Sequence, residues 1–230
     1  MRHALIILTA CSIAVLGACS REEAAPVSEP SAATASPDLA GPSALERTAV
    51  LRDPTPQQVR AVAADWLGRP IDHDALAQAH PDYQRADAAG RPAVLARLAG
   101  ESRAAAQAAA SVGVLDVSTP VSGVSYDQAA GVYLLPVFSP GSTISLAPSH
   151  VLRLSNAEAA YSLGMTNTAA QSMQSTQARP ARVRLIARLG SAQATANGAV
   201  LIGRLESFTL YDAQGRPIGE AVTMAGAGDS

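Results

Sequence analysis

Side chains able to do chemistry are few in this chain, and they are unevenly placed. Asp72-His73-Asp74, with His80 and Asp82 close behind, is the one stretch where titratable groups gather. Such a cluster could hold a metal or run an acid–base pair if its members converged on one point, as His at i and i+4 of a helix do. His73 and His80 stand roughly two helical turns apart, about 10 Å along the axis. That spacing favours a helix capped by Asp72 with solvated neighbours, and no metal site is expected. His150, beside Pro148, has no recognisable partner. The serines lack a Gly-x-Ser-x-Gly elbow, and no Gly-x-Gly-x-x-Gly phosphate loop occurs. The 17 cationic residues are all arginine, which excludes a lysine Schiff base, a Walker-type loop and a Ser-x-x-Lys centre. Cys11 and Cys19 are the only cysteines, so the body carries no disulfide framework, thiol nucleophile or cysteine-ligated metal. A formal net charge of −2 over 230 residues argues against nucleic acid as a partner, which calls for a basic excess.

One charged pattern stands out. Arg182, Arg184 and Arg188 alternate with Val183, Leu185, Ala187 and Leu189, so a strand would place the arginines on one face, about 7 and 14 Å apart. Guanidinium groups in a row can grip phosphates or carboxylates bidentately. The same alternation is also what any strand with one wet face shows, and Glu206 on the next strand is placed to neutralise part of the row.

The elements that would position these groups are legible in the apolar periodicity. Thr55-Pro56-Gln57-Gln58 opens a helix with a capping hydroxyl, Pro at its first position and Gln at its third. Val59, Val62, Ala63, Trp66 and Leu67 form its stripe, with Trp66 a core residue, and Gly68 stops it. A short helix over 73–79 and a longer, alanine-rich one over 91–110 follow. From Val112 the period becomes strand-like, with strands expected over 131–138, 143–146, 151–154, 181–189 and 199–211. Asp212 to Gly215 reads as a turn closing a hairpin into 216–222, and a similar Tyr-Asp…Gly phrase runs from Tyr126 to Gly131. Ser155 and Glu158 have the form of a capping box opening a helix that ends at Gly164, and 168–177 reads as another helix. The expected class is α+β: a helical N-terminal half packed on an antiparallel sheet, in a single domain over 55–222. Residues 223–230 read as a disordered tail. Residues 19–54, rich in Ser, Ala, Glu and Pro, read as a flexible tether of about 30 Å r.m.s. reach, in which Ser43 and Glu46 could start a short helix over 44–51.

Ahead of the tether, a basic start (Arg2, His3) precedes an apolar run from Ala4 to Val15. That run is too short for a bilayer core, which takes about 20 residues, but it suits a secretory leader. Leu16-Gly17-Ala18-Cys19 resembles the lipobox of bacterial lipoprotein precursors. The resemblance implies a signal peptide over 1–18, cleavage before Cys19 and lipid attachment to it. Ser20, where an Asp would mark inner-membrane retention, points to the outer membrane, with the body facing the periplasm. Several acyl chains at about 0.8 kcal/mol per buried CH₂ make such an anchor stable. The plainer alternative is a secretion signal cut after Ala18, leaving a free thiol.

Short phrases spread over the body are similar to a family of proteobacterial envelope proteins known only as a domain of unknown function. They are Leu76, Ala77 and Tyr83; Tyr126-Asp127 before Leu135-Pro136-Val137-Phe138; Leu152 to Asn156; and Leu210-Tyr211-Asp212 with Gly215-Arg216. The resemblance brings no catalytic residue and no cofactor. The expectation is therefore a non-catalytic, lipid-anchored envelope lipoprotein that binds or scaffolds another component, be it an envelope protein, an anionic lipid or peptidoglycan. The alternative is a periplasmic hydrolase with a His/Asp site that the sequence does not display.

Overall fold

A computed structural model of the chain describes residues 46–224. Cys19, the leader, most of the tether and residues 225–230 lie outside them. The first described element is a strand, β1 (Ala49–Arg52), and the helices follow: α1 (Pro56–Trp66), α2 (His73–Ala79), α3 (Pro81–Arg85) and α4 (Arg91–Ala109). The chain continues through β2 (Val112–Pro120), β3 (Ser125–Asp127), β4 (Val132–Leu134), β5 (Thr143–Ala147) and β6 (His150–Leu154). It ends with α5 (Glu158–Tyr161), β7 (Ser162–Gly164), α6 (Thr168–Thr176), β8 (Arg182–Ala194), β9 (Ala199–Tyr211) and β10 (Val222–Thr223).

The protein is α+β, but its main sheet is mixed where an antiparallel one is expected. The strand order is β1-β2-β8-β9-β6-β5, with β10 also on β9. β1 runs parallel to β2, and β6 parallel to β9. Parallel neighbours require a crossover, and α1 to α4 supply it between β1 and β2. The expected tether therefore ends sooner than residue 54, and the helix expected over 44–51 is replaced at 49–52 by strand. Pairing overrides local preference here: Ala49 and Leu51 align with Val112 and Leu115. β3, β4 and β7 form a separate antiparallel sheet.

The core lies between the main sheet and α1. Val183, Leu185, Ala187 and Leu189 of β8 are buried, as their alternation requires, together with Leu201, Leu205, Phe208 and Leu210 of β9. The pattern of β9 breaks between Leu205 and Phe208 because of a bulge opposite Ile186 and Ala187, which shifts the inward phase by one residue. α1 lays Ala61, Val62 and Ala63 onto this core. It starts in a complete capping box between Thr55 and Gln58. Trp66, partly buried against the core, donates its indole N–H to the Val112 carbonyl at 2.9 Å. The buried Arg47 guanidinium lies 4.6 Å from the Trp66 ring centroid and pairs with Asp65. The far end of α1 is thus tied to the start of β2.

Two further expectations are corrected. The strand expected over 131–138 stops at Leu134, and Pro136–Phe138 is a single 3₁₀ turn, since Pro136 cannot donate to a ladder. The Ser155–Glu158 capping box does not form: the N-cap of α5 is Ala157, which offers no side-chain cap. Asn156 instead exchanges hydrogen bonds with the Leu205 backbone, at 3.0 and 2.8 Å, and so ties this turn to β9. Nor does the helix reach Gly164, because residues 162–164 are β7.

Candidate functional site

α1 and α2 both pack on α4, but they belong to different apolar clusters. Residues of α1 join the main core, whereas Ala77, Leu98 and Ala99 form a small cluster of their own with Tyr83, Val94 and Leu95 around it. The linker between the two helices turns at Gly68, whose φ of +61° is the left-handed conformation that glycine takes without penalty. It then runs through Pro70 to Asp72, whose carboxylate accepts the Ala75 N–H and caps α2. A cleft of about 490 Å³ remains between α1, α2 and α4, inside the roughly 300–1,000 Å³ range of small-molecule sites.

Small side chains leave this space open. Ala61, Ala64, Ala75 and Ala77 line it where Leu or Met would have filled it, alongside Leu98 and Ile71. Leu76, also in the lining, is 42% exposed, one of three large apolar side chains the described residues leave to solvent. The polar lining includes the charged or titratable Arg60, Arg69, Asp72, His80, Glu101 and His150, with Gln57 and Ser102 beside them. Its two carboxylates are already engaged, Asp72 as the cap of α2 and Glu101 with Arg97 at 2.7 Å. That pairing holds the Arg97 guanidinium above its ordinary value, chiefly through the hydrogen bond to Glu101. Arg60 and Arg69 make no ion pair or side-chain hydrogen bond among the described residues.

The histidines do not converge. His80 Nδ1 accepts the Asp82 N–H at 3.1 Å and caps α3. His150 lies at the start of β6, after Ser149 at φ +62°, and its Nδ1 donates to the Pro148 carbonyl at 2.9 Å. His73 is not among the lining residues of the cleft: its Nδ1 lies 2.7 Å from Ser102 Oγ and ties α2 to α4. Among the described residues no three His, Cys, Asp or Glu side chains gather as a metal would need. Sequence reasoning placed His73 and His80 correctly on and beside α2. It missed that His80, His150 and Ser102 share a cleft, because β6 is remote in sequence.

The arginine row exists as a face of β8 but is largely neutralised. Arg184 makes a bidentate contact with Asp116, Nε to Oδ1 at 2.7 Å and Nη2 to Oδ2 at 2.9 Å. That contact raises the Arg184 guanidinium above its ordinary value. Asp116 is buried, and Arg52 also approaches it at 3.5 Å. Arg188 pairs with Glu206 at 2.6 Å, as its neighbour on β9 suggests. Arg182 is exposed and makes no such contact among the described residues. The row therefore presents one available guanidinium and two occupied ones.

No helix among the described residues is long and apolar enough to cross a membrane. Comparison with protein-family models, with curated proteins and with solved structures finds no match to this chain.

Proposed function

We propose that the protein is a lipid-anchored lipoprotein of the outer membrane, facing the periplasm, whose body is a non-catalytic binding module with the α1–α2–α4 cleft as its site. The observation that carries this reading is the cleft itself: an open apolar floor with Leu76 left to solvent, where a closed core would be expected between three helices. The lipobox resemblance of Leu16 to Cys19 supports the anchor. Binding is tested with the neutral dye Nile red on the chain from Ser20 to Ser230, which carries every described element and the whole core. Emission should rise and shift to the blue with the wild-type chain. It should fail to do so with Ala64→Trp, which fills the cleft. Equal signals from both would place the apolar surface elsewhere.

The second reading, a hydrolase, is favoured by one observation, the 2.7 Å contact between His73 and Ser102 beside the cleft. A histidine at that distance could take the serine proton as general base while Oγ attacks an acyl carbon. Turnover of 4-nitrophenyl esters that Ser102→Ala and His73→Ala both abolish would support it. Turnover unchanged in those variants would make the contact a tie between α2 and α4.

A further inference from the structure

We infer that the cleft takes an amphipathic anion, a single apolar chain ending in a carboxylate or phosphate, with Arg60 and Arg69 holding the head. The inference rests on the cleft being the binding site, and it adds the class of ligand. A wholly apolar ligand would leave the rim unexplained. Of the charged groups there, Asp72 and Glu101 are committed to the α2 cap and to Arg97, while Arg60 on α1 and Arg69 in the linker are exposed and make no ion pair or side-chain hydrogen bond among the described residues. The unsatisfied charge at the opening is therefore cationic. The same cleft is lined by Ala61, Ala77 and Leu98, which are buried, and by the exposed Leu76. Guanidinium groups hydrogen-bond carboxylate and phosphate oxygens in a planar fork. His80 adds a donor beside them: with Nδ1 accepting from the Asp82 backbone, its neutral ring carries the proton on Nε2. The cleft so combines an apolar lining with guanidinium and imidazole donors among the same lining residues, a combination that orients an amphiphile rather than merely absorbing it.

The contrast with β8 is informative. There the guanidinium groups of Arg184 and Arg188 already have carboxylates at hydrogen-bond distance, so an anion must displace a protein partner. At the cleft no carboxylate of the described residues pairs with Arg60 or Arg69.

The test uses the Ser20–Ser230 chain and 11-(dansylamino)undecanoate, compared with its uncharged methyl ester, below their micelle concentrations. The acid should bind about tenfold more tightly than the ester, the worth of one charge-assisted contact at an exposed rim. Arg60→Gln with Arg69→Gln should remove that difference and leave the ester unchanged. Displacement by dodecanoate and by dodecyl phosphate then tells which head the site prefers, and displacement by either supports the inference. Equal binding of acid and ester overturns it while leaving the cleft a binding site by the Nile red criterion. Failure of Nile red and both dansyl probes alike overturns the cleft reading itself. Acid binding retained in the double variant but lost in Arg182→Gln would move the site to β8.

Discussion

The sheet and the helical crossover use the same residue types to opposite ends. On the sheet, Val183, Leu185, Ala187 and Leu189 of β8 are buried, Asp116 is buried with Arg184 clamped to it, and Glu206 is turned by a bulge onto Arg188. On the crossover, alanines stand where larger residues would seal the space between α1 and α2, and Arg60 and Arg69 in the lining pair with no carboxylate among the described residues. The β-rich region spends its polar groups on itself, while the helical region leaves some unspent. Alternation in the sequence revealed the arginines of β8, but alternation reports only which face is wet. Availability is decided by partners that come from other strands.

If the sheet is the closed partner in this comparison, damage there should be severe. Gly113, in β2, faces the Arg47 backbone carbonyl so closely that an added Cβ would overlap it. Gly113→Ala should therefore cost about 3 kcal/mol or more, since β2 cannot yield without parting from β1 or β8. Urea unfolding measures it. A loss below about 1 kcal/mol would show that the chain around Arg47 gives way freely.

The two ion pairs of β8 sharpen the point. Asp116→Ala strips a carboxylate only 8% exposed from Arg184, which is itself 39% exposed. A loss of about 2 kcal/mol is expected, below the full cost of orphaning a buried charge because water still reaches the guanidinium. Glu206→Gln breaks a pair exposed at 46% and 29% and should cost about 0.5 kcal/mol or less. Equal losses from the two would contradict the distinction between a built and a surface pair.

Effects smaller than that of Asp116→Ala belong to the β9 hairpin. Gly215 has φ +76° with open space around it, so Gly215→Val should cost about 1 kcal/mol from backbone strain alone. Calorimetry showing an unchanged melting temperature would argue against that. In the same turn, the Asp212 carboxylate accepts the Arg216 and Gln214 backbone N–H groups and the Arg216 guanidinium. These bonds hold it below the ordinary carboxylate range, the Arg216 backbone bond foremost. A lowered folded value means the stabilisation is complete above the ordinary carboxylate range and is lost as pH falls through the lowered value. Any advantage in melting temperature over Asp212→Asn should thus be present at neutral pH and vanish in acid. An advantage that survives strong acid would assign it to something other than the charge.

The sequence disclosed most where one residue type forces one geometry. Asp72, Thr55 with Pro56, and the pair Asp212 and Gly215 each declare a cap or turn, and each occurs as read. The Tyr126 to Gly131 phrase folds by the same device, with Asp127 accepting the Ala129 and Ala130 N–H groups and Gly131 at φ +65°. What stayed hidden depends on remote partners. β1 is a strand only because β2 lies beside it, and α3 is capped by a histidine accepting through Nδ1, an uncommon helix cap. Asn156 was read within a local capping phrase, yet it bonds to β9. The cleft was hidden for the same reason, being defined by what α1, α2, α4 and the start of β6 fail to fill.

Amide hydrogen exchange on the Ser20–Ser230 chain, with and without saturating dodecyl phosphate, tests the division between closed sheet and open crossover most directly. Exchange should slow in α1, α2 and the linker around Arg69, and stay unchanged in β2, β8 and β9. Protection centred on β8 near Arg182, or none anywhere, would contradict it.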